Sequence, residues 1–220
     1  GSPGRVVVRA PNWVGDVVRS LPALRDLRRN FPSARVTVLA RAWVADLYRA
    51  VAEVDEVWES KGAANDASRL RGAFDWGVLL PNSFGAALPL WMAGVPERVG
   101  YATDARSILL TRAVPVSGEV RGRSQVYYYR WMLAGLGLHV SGAPDASLAC
   151  PEEWSRRGAE KLGDDGSWLG LTPGAFYGTA KRWLPERYAA VADAVASRTG
   201  ARVAIVGGPG ERALGEAVAG

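Results

Sequence analysis

The chain has little of three reactive residue types, with one cysteine, one histidine and two methionines among 220 residues. The lone Cys150 excludes an internal disulfide and a cysteine-built zinc cluster, and fits a reducing cytoplasm. His139, the sole histidine, follows a glycine-rich turn away from every motif and reads as structural or solvated. Long apolar runs are missing too. None reaches the roughly 18 residues of a membrane span, and the start lacks a charged region followed by an apolar core, so neither anchoring nor secretion is indicated. No arginine stripe, zinc-finger spacing or aromatic RNA-binding signature is present, which argues against nucleic acid as a partner. No internal repeat or low-complexity tract is visible. Lysine is scarce, with Lys61, Lys161 and Lys181 set against 24 arginines.

What is present describes a globular α/β protein. A hydrophobic content of 48% over this length buries a real core and suits one large or two small domains. The formal charge of +5 and a pI near 9.6 favour an anionic partner without choosing among nucleic acid, an acidic membrane surface and a phosphorylated substrate. Short apolar runs alternate with amphipathic stretches, the pattern of a mainly parallel sheet covered by helices. Strands are expected at 6–9, 35–39, 56–58, 76–80 and 98–101. Helices are expected from Val14, with a bend or restart at Pro22, and at 42–50, 67–72, 83–93 and 124–136; the aromatics of the last read as core. The stretch after the fifth strand reads as irregular and rich in arginine. Residues 142–166 read as an interdomain connection containing a helix. The pattern then restarts with strands at 168–172 and 202–206 and helices at 185–198 and 210–218. The division is therefore 5–141, 142–166 and 167–220, with Gly1, Ser2, Pro3 and Gly4 read as a cloning scar.

Two loops carry the chemistry. The first runs from Thr172 through Pro173, Gly174, Ala175, Phe176, Tyr177, Gly178, Thr179 and Ala180 to Lys181, Arg182 and Trp183, ahead of a helix opened by Pro185. Backbone N–H groups bared by glycine and a helix start converge on one spot, and Lys181 and Arg182 add two positive charges, an arrangement that collects phosphate. The second follows the first strand as Pro11, Asn12, Trp13, Val14, Gly15 and Asp16. Open α/β sheets bind ligands outside the carboxyl ends of their strands, so Asp16 is expected to face a crevice. Local sequence leaves two roles for Asp16, helix capping and proton abstraction.

Taken in order, these segments resemble the ADP-heptose:lipopolysaccharide heptosyltransferases of glycosyltransferase family nine, heptosyltransferase II-like members above all. The matching residues are Pro11 to Asp16 with Pro22, Leu80 to Phe84 (including Asn82 and Ser83), Gly94 to Gly100, Pro173 to Ala175, Ala180 to Trp183 with Pro185, and Gly207 to Arg212. They cover nearly the whole chain. The resemblance implies a GT-B architecture of two Rossmann-like units. The N-terminal one receives a lipid-linked acceptor sugar, and the C-terminal one binds ADP-heptose. It also implies inversion at the anomeric carbon, no cofactor and no obligatory metal, with no clustered Asp-x-Asp pair to argue otherwise. The partners implied are a nucleotide sugar and an anionic lipid-linked oligosaccharide acceptor, met in the cytoplasm or peripherally at the inner-membrane surface. On this reading Asp16 is the general base, with Asn12, Trp13, Gly15, Asn82 and Ser83 beside it. Lys181, Gly174, Thr172 and Arg182 take the donor diphosphate, and Arg98, Arg106, Arg112, Arg121 and Arg123 meet acidic groups of the acceptor. The family's later Asp-Ser-Gly-Pro-type loop has no counterpart, so the C-terminal unit is expected to be truncated and the chain alone to transfer heptose poorly. Where many members carry a His or acidic residue before the long aromatic helix, this chain has Ser124 and Gln125, which bears on the acceptor's identity.

Two other readings stay open: a GT-B transferase using another nucleotide sugar, and a non-catalytic nucleotide-binding module. The run Val206 to Glu211 is superficially like a dinucleotide loop but lacks the full G-x-G-x-x-G spacing.

Overall fold

A computed structural model describes residues 2–140, 142–163, 166–175 and 179–220. Of the expected features, Phe176, Tyr177 and Gly178 of the phosphate-type loop and residues 141, 164 and 165 around the expected boundary lie outside the described residues. The chain divides into two units, Gly1–Pro151 and Glu152–Gly220.

The first unit is a six-stranded, all-parallel sheet. Its strands are β1 (Arg5–Arg9), β2 (Arg35–Ala40), β3 (Glu56–Glu59), β4 (Trp76–Leu79), β5 (Glu97–Tyr101) and β6 (Arg112–Val114). Helices α1 (Val14–Asn30), α2 (Ala42–Arg49), α3 (Ala63–Leu70) and α4 (Phe84–Met92) connect them. The short α5 (Gly118–Arg121) and α6 (Gln125–Gly135) follow β6. The strand order is β3-β2-β1-β4-β5-β6, the doubly wound order in which the chain first builds outward from β1 and then returns to β1's other side.

Successive strand residues point to opposite faces, and both faces are covered, so β1 reads as an unbroken valine run. Val6 and Val8 join a core with Leu21, Leu24 and Leu27 of α1, Tyr48 of α2, and Met132 and Leu133 of α6. Val7 joins the other core with Leu70 of α3, Leu79 of β4 and Leu90 of α4. Gly77 admits this packing, since a Cβ there would run into the Leu90 side chain.

Three expectations change. Helix α1 runs unbroken through the buried Pro22. A proline inside a helix costs about 3 kcal/mol, and the buried Leu21, Leu24 and Leu27 of the same helix offset it through packing. Helix α3 starts four residues earlier than expected, at Ala63, because Gly62 at φ 105° turns the chain. The Asp66 carboxylate then accepts from Ser60 Oγ at 2.6 Å and Lys61 N–H at 2.9 Å, which fixes that turn. The stretch expected to be irregular contains a 3₁₀ turn at Arg106–Leu109, strand β6 and α5. Gly4 lies against the sheet: its N–H donates to Asp75 Oδ2 at 3.0 Å and its carbonyl accepts from Arg35 N–H at 2.8 Å.

The second unit contains α7 (Glu152–Leu162), β7 (Trp168–Leu171), α8 (Pro185–Thr199), β8 (Arg202–Ile205) and α9 (Arg212–Ala219). β7 and β8 pair in parallel, as the expected β-α-β pattern requires. Leu171, Ala192 and Val218 form its small buried core. Among the described residues no helix is long and apolar enough to cross a membrane.

Candidate active site

The switch in winding direction falls between β1 and β4, which pair through Arg9 and Leu79 at their carboxyl ends. The loops leaving these two strands must diverge to opposite sides of the sheet, and a crevice opens where they part. A cleft of about 200 Å³ lies there, lined by Pro11, Asn12, Trp13 and Asp16 from the first loop and Leu80, Pro81, Asn82 and Ser83 from the second. Gln125, Tyr128 and Tyr129 close it from α6.

Asp16 stands in the first turn of α1, where its charge complements the helix dipole. It is not the cap. The N-cap residue is Trp13, and the Asp16 carboxylate instead takes Arg19 Nη1 at 3.0 Å one turn along. The same Arg19 nitrogen lies 3.4 Å from Gln125 Oε1, tying α1 to α6 at the cleft's edge. The Asp16 side chain is about a quarter exposed, open enough to meet a ligand. Burial, and after it the Asp16 charge, raise the Tyr129 hydroxyl above its ordinary range, so Tyr129 stays a neutral wall.

The Asn12 loop is held from two sides. Buried Arg9 donates to the Ala10 and Leu39 carbonyls, each at 3.0 Å, and to Asn12 Oδ1 at 3.3 Å. Burial, then the neighbouring charge of Arg41, lower the Arg9 guanidinium to about 10, which leaves it charged at neutral pH. Trp43 donates its indole N–H to the Asn12 carbonyl at 2.8 Å. On the other wall, Thr103 Oγ1 donates to the Asn82 carbonyl at 2.9 Å and the Tyr128 hydroxyl donates to Asn82 Oδ1 at 3.0 Å.

The structure thus brings Asp16, Asn12, Trp13, Asn82 and Ser83 together, with Gly15 in the adjoining first turn of α1. Gln125, noted in the sequence for its bearing on the acceptor, lines the cleft, and sequence reasoning misses Tyr128 because it reads the aromatic run of α6 as core. Tyr129 is core as well as wall, being 4% exposed. The five arginines separate. Arg98 and Arg112 sit at the amino ends of β5 and β6, away from the cleft at the carboxyl ends. Arg98 is spent on the Leu109 and Val95 carbonyls at 2.7 and 2.6 Å, and Arg112 on the Leu136 carbonyl at 2.7 Å. Arg106 is fully buried, with Nε on the Tyr101 carbonyl at 2.9 Å and Nη1 on the Pro81 carbonyl, so it supports the wall and meets no acceptor. Arg121 and Arg123 are exposed just before α6, whose first residue, Gln125, lines the cleft.

The second unit has its own cleft of about 550 Å³ outside the carboxyl ends of β7 and β8. Pro173, Gly174, Gly207, Gly208, Glu211 and Arg212 are among its lining residues. A Cβ on Gly174 would collide with the Glu211 carboxylate, which accepts from Gly208 N–H at 2.8 Å. Thr172, Lys181 and Arg182 are exposed and are not among the described lining residues. Arg182 donates through Nε and Nη2 to the Ala175 carbonyl at 3.2 and 2.9 Å, fastening the loop to its own start. No group of three or more His, Cys, Asp or Glu placed to hold a metal occurs among the described residues.

A doubly wound unit with a carboxylate at its switch point, followed in sequence by a second α/β unit with a glycine-lined cleft, has the fold of the GT-B class. The model of glycosyltransferase family 9 (heptosyltransferase) matches residues 67–219, and the chain belongs to that family. It is 28% identical over 206 residues to lipopolysaccharide heptosyltransferase 2 of Escherichia coli K12, covering 86% of this chain and 59% of that protein. The chain therefore spans about three fifths of that relative's length. Among solved structures it is similar to E. coli ADP-heptose lps heptosyltransferase II, with TM-score 0.80 and 26% identity over 97% of this chain and 67% of the other. The family 9 glycosyl transferase of Veillonella parvula matches with TM-score 0.80 at 22% identity over 98% of this chain and 66% of the other, a likeness of fold.

Proposed function

We propose that the protein transfers heptose from ADP-heptose to the inner core of lipopolysaccharide, with inversion. The observation that carries this reading is Asp16, partly exposed in the switch-point cleft of a chain belonging to the heptosyltransferase family. The acceptor hydroxyl oxygen forms its bond to the anomeric carbon as the bond from that carbon to the diphosphate breaks. Asp16 takes the hydroxyl proton, and ADP leaves carrying the electron pair. Positive charge must meet the departing diphosphate, a role suited to Lys181 and to the N–H groups of the loop around Gly174. Thr172 and Arg182 belong to the same donor loop, which Arg182 holds through the Ala175 carbonyl. Glu211 repels phosphate and suits nucleotide hydroxyls instead, and Gly174 gives it room. No cofactor enters this scheme, and no metal is required by it.

The acceptor is an anionic, lipid-linked oligosaccharide, which brings the enzyme to the cytoplasmic face of the inner membrane as a peripheral protein. Arg121 and Arg123, exposed beside the first turn of α6, suit its acidic groups. The test is incubation of the full-length protein with ADP-heptose and a heptose-bearing core acceptor. ADP release matched by a glycosylated product is the expected result, and ADP-heptose left intact in the presence of acceptor overturns the reading.

A further inference from the structure

Asn82 is held more completely than a loop residue needs to be. Its carbonyl takes Thr103 Oγ1 at 2.9 Å, and its side-chain oxygen takes the Tyr128 hydroxyl at 3.0 Å. Tyr128 is itself fixed: its carbonyl accepts from the Tyr101 hydroxyl at 2.8 Å, and the two rings lie 4.3 Å apart. The Tyr101 carbonyl takes Arg106 Nε at 2.9 Å, and Arg106 Nη1 reaches the carbonyl of Pro81, next to Asn82. The circuit closes on itself around one amide.

That circuit is costly. Arg106 is wholly buried, its Nη2 has no hydrogen-bond partner among the described residues, and burial lowers its guanidinium to about 10. Glycine at position 100 leaves it room. A Cβ there would lie 3.1 Å from Arg106 Nη2 and 3.2 Å from the Leu79 carbonyl. Asn82 and Asp16 both line the cleft. With Oδ1 taken by the Tyr128 hydroxyl, Nδ2 is the remaining polar group of the amide, and it makes no hydrogen bond among the described residues.

We propose that Asn82 positions the acceptor sugar: its Nδ2 donates to a hydroxyl adjacent to the one that Asp16 deprotonates, so the cleft reads two neighbouring hydroxyls. Tyr128 and Arg106 are positioning residues that keep the amide turned this way. A carboxylate takes a proton and an amide N–H gives one, so the pair orients both hydroxyls of a diol in a single sense. This assignment rests on the heptose-transfer reading and names the feature of the acceptor that the site selects.

The experiment uses the full-length protein, ADP-heptose and two acceptors, a heptose-bearing core oligosaccharide and its analogue lacking the hydroxyl next to the reacting one. On the intact acceptor, Asn82→Ala and Asn82→Asp should lower kcat/KM by about 10- to 100-fold, and Tyr128→Phe by about 3- to 10-fold. Affinity for ADP and the melting temperature of Tyr128→Phe should be nearly unchanged. On the deoxygenated acceptor wild type should fall to the level of the variants, which should lose nothing further. Variants that lose the same factor on both acceptors, or lose nothing on the intact one, overturn the proposal. A wild-type protein that transfers heptose to neither acceptor overturns the heptose-transfer reading, and this assignment with it.

Discussion

Arg19 Nη1 lies 3.0 Å from Asp16 Oδ1, one turn along the same helix, and 3.4 Å from Gln125 Oε1 on α6. The contact answers a question that local sequence leaves open, since an aspartate near a helix start is as good a cap as a base. With its carboxylate on Arg19 rather than on the backbone of the helix start, Asp16 is fixed in rotamer and keeps an oxygen for a ligand. Arg19 is half exposed, so the pair contributes little to stability and its value is in aiming the carboxylate. Arg19→Gln should lower kcat about 3- to 10-fold with little change in melting temperature. Steady-state rates and thermal melts of that variant check both parts.

Lys181→Ala should weaken ADP binding as well as turnover, because the lost charge acts on the diphosphate in ground and transition states alike, and more strongly in the latter. Calorimetric titration of the full-length protein with ADP measures the first. Unchanged affinity and rate would remove Lys181 from the donor site.

Asp26 and Arg130 form a buried pair between α1 and α6, with Arg130 Nε 2.6 Å from Asp26 Oδ2 and both side chains under 5% exposed. Removing Asp26 takes the counter-charge from buried Arg130, which keeps the Gly142 carbonyl at 3.1 Å, so Asp26→Ala should cost about 3–5 kcal/mol in denaturant unfolding. A paired replacement by apolar residues of similar volume, Asp26→Leu with Arg130→Met, should recover most of that loss. A single substitution costing less than about 1 kcal/mol would contradict the burial.

Most of the sheet was legible because buried parallel strands need unbroken β-branched runs, as in Val6 to Val8, and the glycine-acid turn after β1 marks the switch point. What escaped depends on contacts distant in sequence. Nothing local to Tyr128 reveals a hydroxyl spent on Asn82, 46 residues away. Nothing local to Arg106 separates a buried strut from a surface charge, and the three-residue β6 carries too few residues to show a period. Pro22 misled because its local cost is visible in sequence while the packing of α1 on the sheet is not.

Acid should loosen the first unit through Asp75. Burial raises its carboxyl, but hydrogen bonds from Arg5 N–H, the Arg5 guanidinium and Gly4 N–H outweigh this and leave it below the ordinary carboxylate range. A group depressed on folding adds stability above its unfolded pKa of about 4 and loses it as pH falls through the folded value. Melting temperature should therefore drop below about pH 4, and Asp75→Asn should flatten that part of the profile. An identical acid slope in the variant would contradict this role for Asp75.

The central claim is that Asp16 takes the acceptor's proton, and it is tested most directly by Asp16→Asn in the full-length protein. Initial rates of heptose transfer and thermal melting should be measured on the same preparation. The variant keeps the size and the polar contacts of the side chain but cannot act as a base. The expected result is a loss of about 10²- to 10⁴-fold in turnover with the melting temperature nearly unchanged. Turnover within a few-fold of wild type, or a loss of activity that tracks an equal loss of stability, would contradict the account.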